Sequence, residues 1–121
     1  MSIEATIWHY PRCSKSRKTL AILRNQKASI TMRDYLEDPP DADTLAEVVE
    51  LLKIRPYDLV RKSENLYHEL DVDAGALSDR DWLELMADNP LLIQRPIVLT
   101  ENGAVIGRPP EQVHEILPTK E

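Results

Sequence analysis

Short apolar runs, punctuated by prolines and charged turns, set the rhythm of this 121-residue chain. Ala5 to Tyr10 has the β-branched and aromatic content of a strand, and Pro11 ends it. Lys18 to Asn25 reads as a helix with Leu20, Ile22 and Leu23 partly on one face. Ile30 to Leu36 is a second strand candidate, closed by Pro39 and Pro40. Asp41 suits the N-cap of a helix in which Leu45, Val48, Val49 and Leu52 recur with the period of one helical face. Pro56 fits the first turn of a short helix. Ser78 to Asp81 resembles a capping box with Asp as its acid, and Trp82, Leu85 and Met86 continue it as an apolar stripe that Asn89-Pro90 stops. Ile97–Thr100 and Ala104–Ile106 read as two strands around Glu101-Asn102-Gly103. The Asn-Gly pair there predicts a tight hairpin with positive φ at both turn residues. Pro109-Pro110 opens a last helix, Glu111 to Leu117.

Strand, helix, strand, several helices, antiparallel hairpin, helix is the order of an α/β thioredoxin-like fold. It predicts a mixed four-stranded sheet with a helical insertion over roughly residues 41–93, within a single domain spanning 1–121. With no Phe in the chain, the core must rest on Leu, Ile, Val, two Trp and four Tyr. The N-terminus carries neither a basic leader nor an apolar stretch long enough for a signal or a membrane span. The cytoplasm is therefore the expected compartment, and a lone cysteine, which can form no intrachain disulfide, agrees.

Charge sharpens the picture. The net charge of −6 predicts no affinity for nucleic acid, yet residues 1–33 hold seven Lys/Arg against one acid, Glu4. Either this basic segment packs against the acidic remainder, or it attracts a small anion.

Cys13 lies in that segment, just after a strand and just before a helix. Unpaired N–H groups and the positive end of the helix dipole there favour thiolate over thiol. Arg12, Lys15, Arg17 and Lys18 surround it, His9 precedes it, and cations push a thiol pKa down. A buried structural cysteine would more often sit within an apolar run. The pattern Cys13-Ser14-Lys15-Ser16 puts a serine where a dithiol enzyme has its resolving sulfur, so oxidised Cys13 needs an external thiol. A phosphatase loop would place arginine six residues after its cysteine. That position is Thr19, and the phosphatase reading fails. His9, His68 and His114 are not at metal-ligand spacing, so neither a metal nor a bound cofactor is expected. Arg61, in Leu59-Val60-Arg61-Lys62, is expected at the end of a short helix, while Arg95 and Arg108 flank the hairpin and each precede a proline. A guanidinium offers a tetrahedral oxyanion a planar fork of donors that stays charged, although each arginine could equally be an ordinary surface group paired with an acid.

Taken together, His9-Tyr10-Pro11-Arg12-Cys13-Ser14-Lys15-Ser16-Arg17, Asp34 to Glu37, Leu59 to Lys62, Arg95 to Val98 and Gly107-Arg108-Pro109 resemble, in order and approximate spacing, the ArsC family of glutathione- and glutaredoxin-coupled arsenate reductases. The resemblance implies a thioredoxin-like fold and Cys13 as nucleophile. It implies Arg61, Arg95 and Arg108 as the oxyanion-binding arginines, with His9, Ser16 and Arg17 supporting the cysteine. It also implies a cis Arg95–Pro96 bond, arsenate as substrate, glutathione as co-substrate and glutaredoxin as partner. Tyr10 and Arg12 stand where one subgroup has Asn and Ala. The rival expectation is a thioredoxin-fold regulatory or housekeeping protein with little arsenate activity; the regulatory kind commonly uses C-x-x-C, which Ser16 does not supply.

Overall fold

A computed structural model describes residues 3–118 of the chain. They form two compact units. One comprises the residues up to Tyr35 and those from Arg95 onward; the other runs from Leu36 to Gln94.

The first unit is built on a four-stranded mixed sheet in the order β2-β1-β3-β4. Strands β1 (Glu4–Trp8) and β2 (Ser29–Arg33) are parallel, which requires a crossover, and helix α1 (Ser14–Asn25) supplies it. Strand β3 (Ile97–Thr100) runs antiparallel to both β1 and β4 (Gly103–Ile106). Alternation along β1 turns Ala5 and Ile7 into one core with Leu20 and Leu23 of α1, Val98 of β3, and Val113, Ile116 and Leu117 near the chain's end. Burying each of the larger aliphatic groups is worth about 1.5–3 kcal/mol relative to leaving it in water. This is the α/β, thioredoxin-like sheet that the order of elements predicts.

The boundaries differ where polar residues are structural. Strand β1 stops at Trp8, because His9 and Tyr10 enter a turn in which the Cys13 N–H donates to the Tyr10 carbonyl at 2.9 Å. Helix α1 begins four residues earlier than its apolar period suggests. Its first turns bury Ser16 and Thr19 in place of aliphatic side chains. Strand β2 ends at Arg33, short of Leu36. The last helix is a 3-10 helix, Pro110–Ile116. Thr100 pairs with Gly103, so the hairpin turns on Glu101 and Asn102, and Gly103 carries the positive φ (133°) while Asn102 does not. Asn102 is held instead by its side chain, whose Nδ2 donates to the Ile116 carbonyl at 3.2 Å, and by its N–H to Thr100 Oγ1 at 3.1 Å.

The second unit is helical: α2 (Ala42–Leu52), α3 (Asn65–Leu70) and α4 (Asp79–Asp88), joined by short 3-10 turns. Asp41 caps α2 by accepting the Thr44 N–H at 2.8 Å. The capping box on α4 is complete, Ser78 and Asp81 each accepting the other's backbone N–H. Leu45, Val48, Val49, Leu59, Trp82, Leu83 and Met86 are all buried in this unit. Helix α3 has no buried residue and no sequence signal that predicts it. Among the described residues, no helix is long and apolar enough to cross a membrane.

One close approach locks the hairpin to α1. A Cβ on Gly107 would lie 2.5 Å from Thr19 Oγ1 and 2.8 Å from Pro96 Cγ, and Thr19 cannot swing away without leaving the Lys15 carbonyl it donates to at 2.8 Å. Gly107→Ala should therefore cost about 1–3 kcal/mol of stability by overpacking. Part should return in the Gly107→Ala/Thr19→Ala double variant, measured by urea unfolding as a double-mutant cycle. Equal stability of wild type and Gly107→Ala would show that the contact relaxes freely.

Candidate active site

Cys13 is the N-cap of α1, with extended backbone (φ −88°, ψ 121°), and its side chain makes no regular capping hydrogen bond. The sulfur instead faces the free N–H groups of the first turn, and no acid occupies that turn to compete for them. Burial pushes the half-buried thiol up. The backbone N–H groups of Ser16 and Lys15 push it down, as do the side chains of Arg108 and Arg95, and together they prevail. Cys13 therefore ionises below the ordinary thiol range.

The groups responsible are not the ones that sequence adjacency suggests. The charged side chains that lower the Cys13 pKa are those of Arg108 and Arg95, from the far end of the chain. Arg17 is exposed and donates through Nη1 to the Pro11 carbonyl at 2.7 Å, which ties the loop before Cys13 to the helix. Burial holds His9 below the ordinary imidazole value, with Arg24 and Arg17 helping and Asp34 opposing, so it is neutral at neutral pH. It acts through Ser16. The fully buried Ser16 hydroxyl accepts the Tyr10 N–H at 3.0 Å and lies 2.7 Å from His9 Nδ1. The hydroxyl thus bridges the Tyr10 backbone and the His9 ring, and which of the two donates in the His9–Ser16 hydrogen bond follows from the imidazole tautomer. Ser16 thus pins the loop, beyond filling the place of a second cysteine.

Arg95 and Arg108 arrive from the far end of the chain. Arg108 Nη1 lies 3.8 Å from Cys13 Sγ and donates to the Arg95 carbonyl at 3.0 Å. Arg95 is buried (7% exposed), and its guanidinium carbon sits 4.5 Å from the centre of the Tyr10 ring. A cation over an aromatic face is attracted by the ring quadrupole. The Arg95–Pro96 bond is cis, as the family resemblance implies, and so is Arg108–Pro109. The Gly107 N–H donates to the Pro96 carbonyl at 2.9 Å, joining the two arginine turns.

Arg61 is placed in the helical unit. Its N–H donates to the Leu92 carbonyl at 2.6 Å beside the Val60–Ile93 bridge, and its Nε donates to Glu64 Oε1 at 3.2 Å. The structure thus brings Cys13, His9, Ser16, Arg95 and Arg108 into one contiguous group, with Arg17 staple-bonded at its margin. Tyr10 and Gly107, which lie within the segments that carry the family resemblance but are assigned no role by it, also join the site. No cluster of three or more potential metal ligands occurs among the described residues.

Residues 8–116 match the ArsC family profile. The chain belongs to the ArsC family. It is 40% identical over 113 residues to the arsenate reductase of Escherichia coli K12, covering 93% of this chain and 80% of that protein. It is 43% identical over 118 residues to YfgD, an uncharacterized protein of the same organism, covering 97% and 99%. The solved structure of an arsenate reductase from Vibrio cholerae superposes with a TM-score of 0.92 at 42% identity, covering 97% of this chain and 100% of that one. This ArsC-family member shares its fold with that structure over almost its whole length.

Two measurements address the sulfur and its loop. Alkylation of Cys13 followed against pH should show a midpoint below the ordinary thiol range, and Arg108→Ala should raise it; identical titrations would remove Arg108 from the sulfur's environment. Ser16→Ala leaves the Tyr10 N–H without its acceptor and should cost about 1–3 kcal/mol in chemical denaturation.

Proposed function

We propose that this protein is an arsenate reductase of the glutathione- and glutaredoxin-coupled type. The observation that carries the reading is the convergence of two guanidinium groups on an ionisable sulfur at a helix N-terminus, with Arg108 Nη1 3.8 Å from Sγ. Arginine forks matched to a tetrahedral oxyanion hold arsenate and neutralise its charge, while the same groups keep Cys13 in its attacking form. Similarity to arsenate reductases over more than nine-tenths of the chain supports the substrate. Arg61 is the third arginine in the proposal, and its part rests on the family resemblance.

The Cys13 thiolate attacks arsenic, forming an S–As bond, and one arsenate oxygen leaves as water after protonation. Glutathione then attacks the Cys13 sulfur. A Cys13–glutathione disulfide forms, the S–As bond breaks, and its electron pair stays on arsenic, which departs as arsenite. Two thiols lose two electrons and As(V) gains them. Glutaredoxin thiolate exchange removes the glutathione and restores Cys13. Phosphate fits the same donors, so discrimination lies in the chemistry, because thiols reduce arsenic(V) and not phosphorus(V).

In a glutathione- and glutaredoxin-coupled assay, arsenate-dependent consumption of reducing equivalents should vanish in Cys13→Ser. Arg95→Ala and Arg108→Ala should each lose about 2–4 kcal/mol of transition-state stabilisation in kcat/KM. The same measurement on Arg61→Ala tests the third arginine. No arsenate turnover in the wild type, with Cys13 still reactive, would favour the regulatory or housekeeping reading instead.

A further inference from the structure

Cys13 is the chain's one cysteine, so any oxidised form of it must be reduced by a thiol from outside. The chain segment leading away from that sulfur is basic. From Arg12 to Lys27 there are six cations and no acid. Helix α1 buries Ser16, Thr19, Leu20 and Leu23 on one side, and its opposite side exposes Arg17, Lys18 and Arg24, with Arg12 and Lys27 exposed at its two ends. Among the described residues, Arg12, Lys18, Arg24 and Lys27 have no ion-pair partner, in a chain where acids outnumber bases 21 to 15.

This arrangement works against the helix. Cations near the positive end of the dipole are unfavourable, and the first turn has no acid to offset them. Lys27 holds a left-handed φ of 56° at the end of α1, a position where glycine is the unstrained choice. A basic face kept at such cost beside a reactive sulfur is suited to an anionic visitor. Its length selects the kind. The 12 residues of α1 span about 18 Å at about 1.5 Å per residue, whereas an extended tripeptide thiol reaches only about 10 Å. Glutathione can cover one end of the stripe; only a protein surface can follow it from Arg12 to Lys27.

We propose that the exposed basic face of α1, carrying Lys18, Arg24 and Lys27 outward from Cys13, is the docking surface for an acidic protein thiol that reduces this cysteine. The proposal rests on the reading of Cys13 as a sulfur oxidised during turnover, but not on arsenate. The partner's carboxylates would steer its sulfur along the stripe, and the exchange itself is ordinary: the incoming thiolate attacks the mixed disulfide, and the bound thiol leaves with the electron pair.

The test begins with the full chain carrying 5-thio-2-nitrobenzoate as a mixed disulfide on Cys13, whose displacement is read by absorbance. The attacking thiols are a Glu/Asp-rich cysteine peptide long enough to span α1, its Gln/Asn counterpart, glutathione and uncharged mercaptoethanol. The acidic peptide should react about tenfold faster than its neutral counterpart at low ionic strength, and the advantage should fade with added salt. In Lys18→Gln/Arg24→Gln/Lys27→Gln, checked for an unchanged melting curve, that advantage should be lost while the mercaptoethanol rate holds. Equal rates for the two peptides on the wild type, or an advantage that survives the triple substitution, would overturn the proposal. So would a glutathione rate that falls as far as the acidic peptide's, since the stripe would then serve small anions. If the triple variant loses its fold, single Lys18→Gln and Arg24→Gln variants should each lose part of the advantage, and no loss in either refutes the docking face. No arsenate enters this assay, so a failed arsenate reaction beside an intact charge preference would sink the proposed activity alone.

Discussion

A sulfur anion half-withdrawn from water is unfavourable unless something replaces its hydration, and in this protein the backbone does so first. The N–H groups of Lys15 and Ser16 have no helical acceptor, because they belong to the opening turn of α1, and they point at Cys13. Arg108 and Arg95 add full positive charge from the other end of the chain. The site exists only while the loop before α1 and the turns around the β3–β4 hairpin stay within a few ångströms of one another. Several otherwise unremarked features serve that end. Ser16 holds the loop through Tyr10 and His9, Arg17 holds it through Pro11, and Gly107 leaves room for Thr19 where a side chain would push the hairpin off.

The arginines are themselves positioned by polar and aromatic contacts. Arg108 is tied to the Arg95 carbonyl, and the Arg95 guanidinium sits over the Tyr10 ring. Tyr10 is thereby the meeting point of three structures: its carbonyl accepts from Cys13, its N–H donates to Ser16, and its ring carries Arg95. In the proposed reaction the same two guanidinium groups have two successive tasks, stabilising the thiolate before the anion arrives and the anion's charge afterward. His9, held below the ordinary imidazole value by burial, fits this division, since it fixes geometry through Ser16 and leaves the positive charge to the two guanidinium groups.

The elements and the reactive atom are legible in local sequence. Hydrophobic period, proline breaks and cap residues marked β1, α1, α2, α4 and the hairpin, because these signals act over a few residues and the chain carries them locally. The place of Cys13 between strand and helix was enough to predict its ionisation, since the orphan N–H groups are a property of any helix start. The structure departs from the hydrophobic pattern where polar residues take over positions usually given to apolar ones: Ser16 and Thr19 are buried in the first turns of α1, and Asn102 is held by the Ile116 carbonyl in place of a left-handed turn. Which cations lower the sulfur's pKa is set by long-range packing. Arg12, Arg17 and Lys18 are next to Cys13 in the chain, yet a helix turns successive side chains outward in different directions. Arg95 and Arg108, more than eighty residues away by numbering, reach the sulfur because β3 pairs with β1 and carries the hairpin's turns to the mouth of α1. Charge acts through distance in space, and one-dimensional spacing carries no record of it.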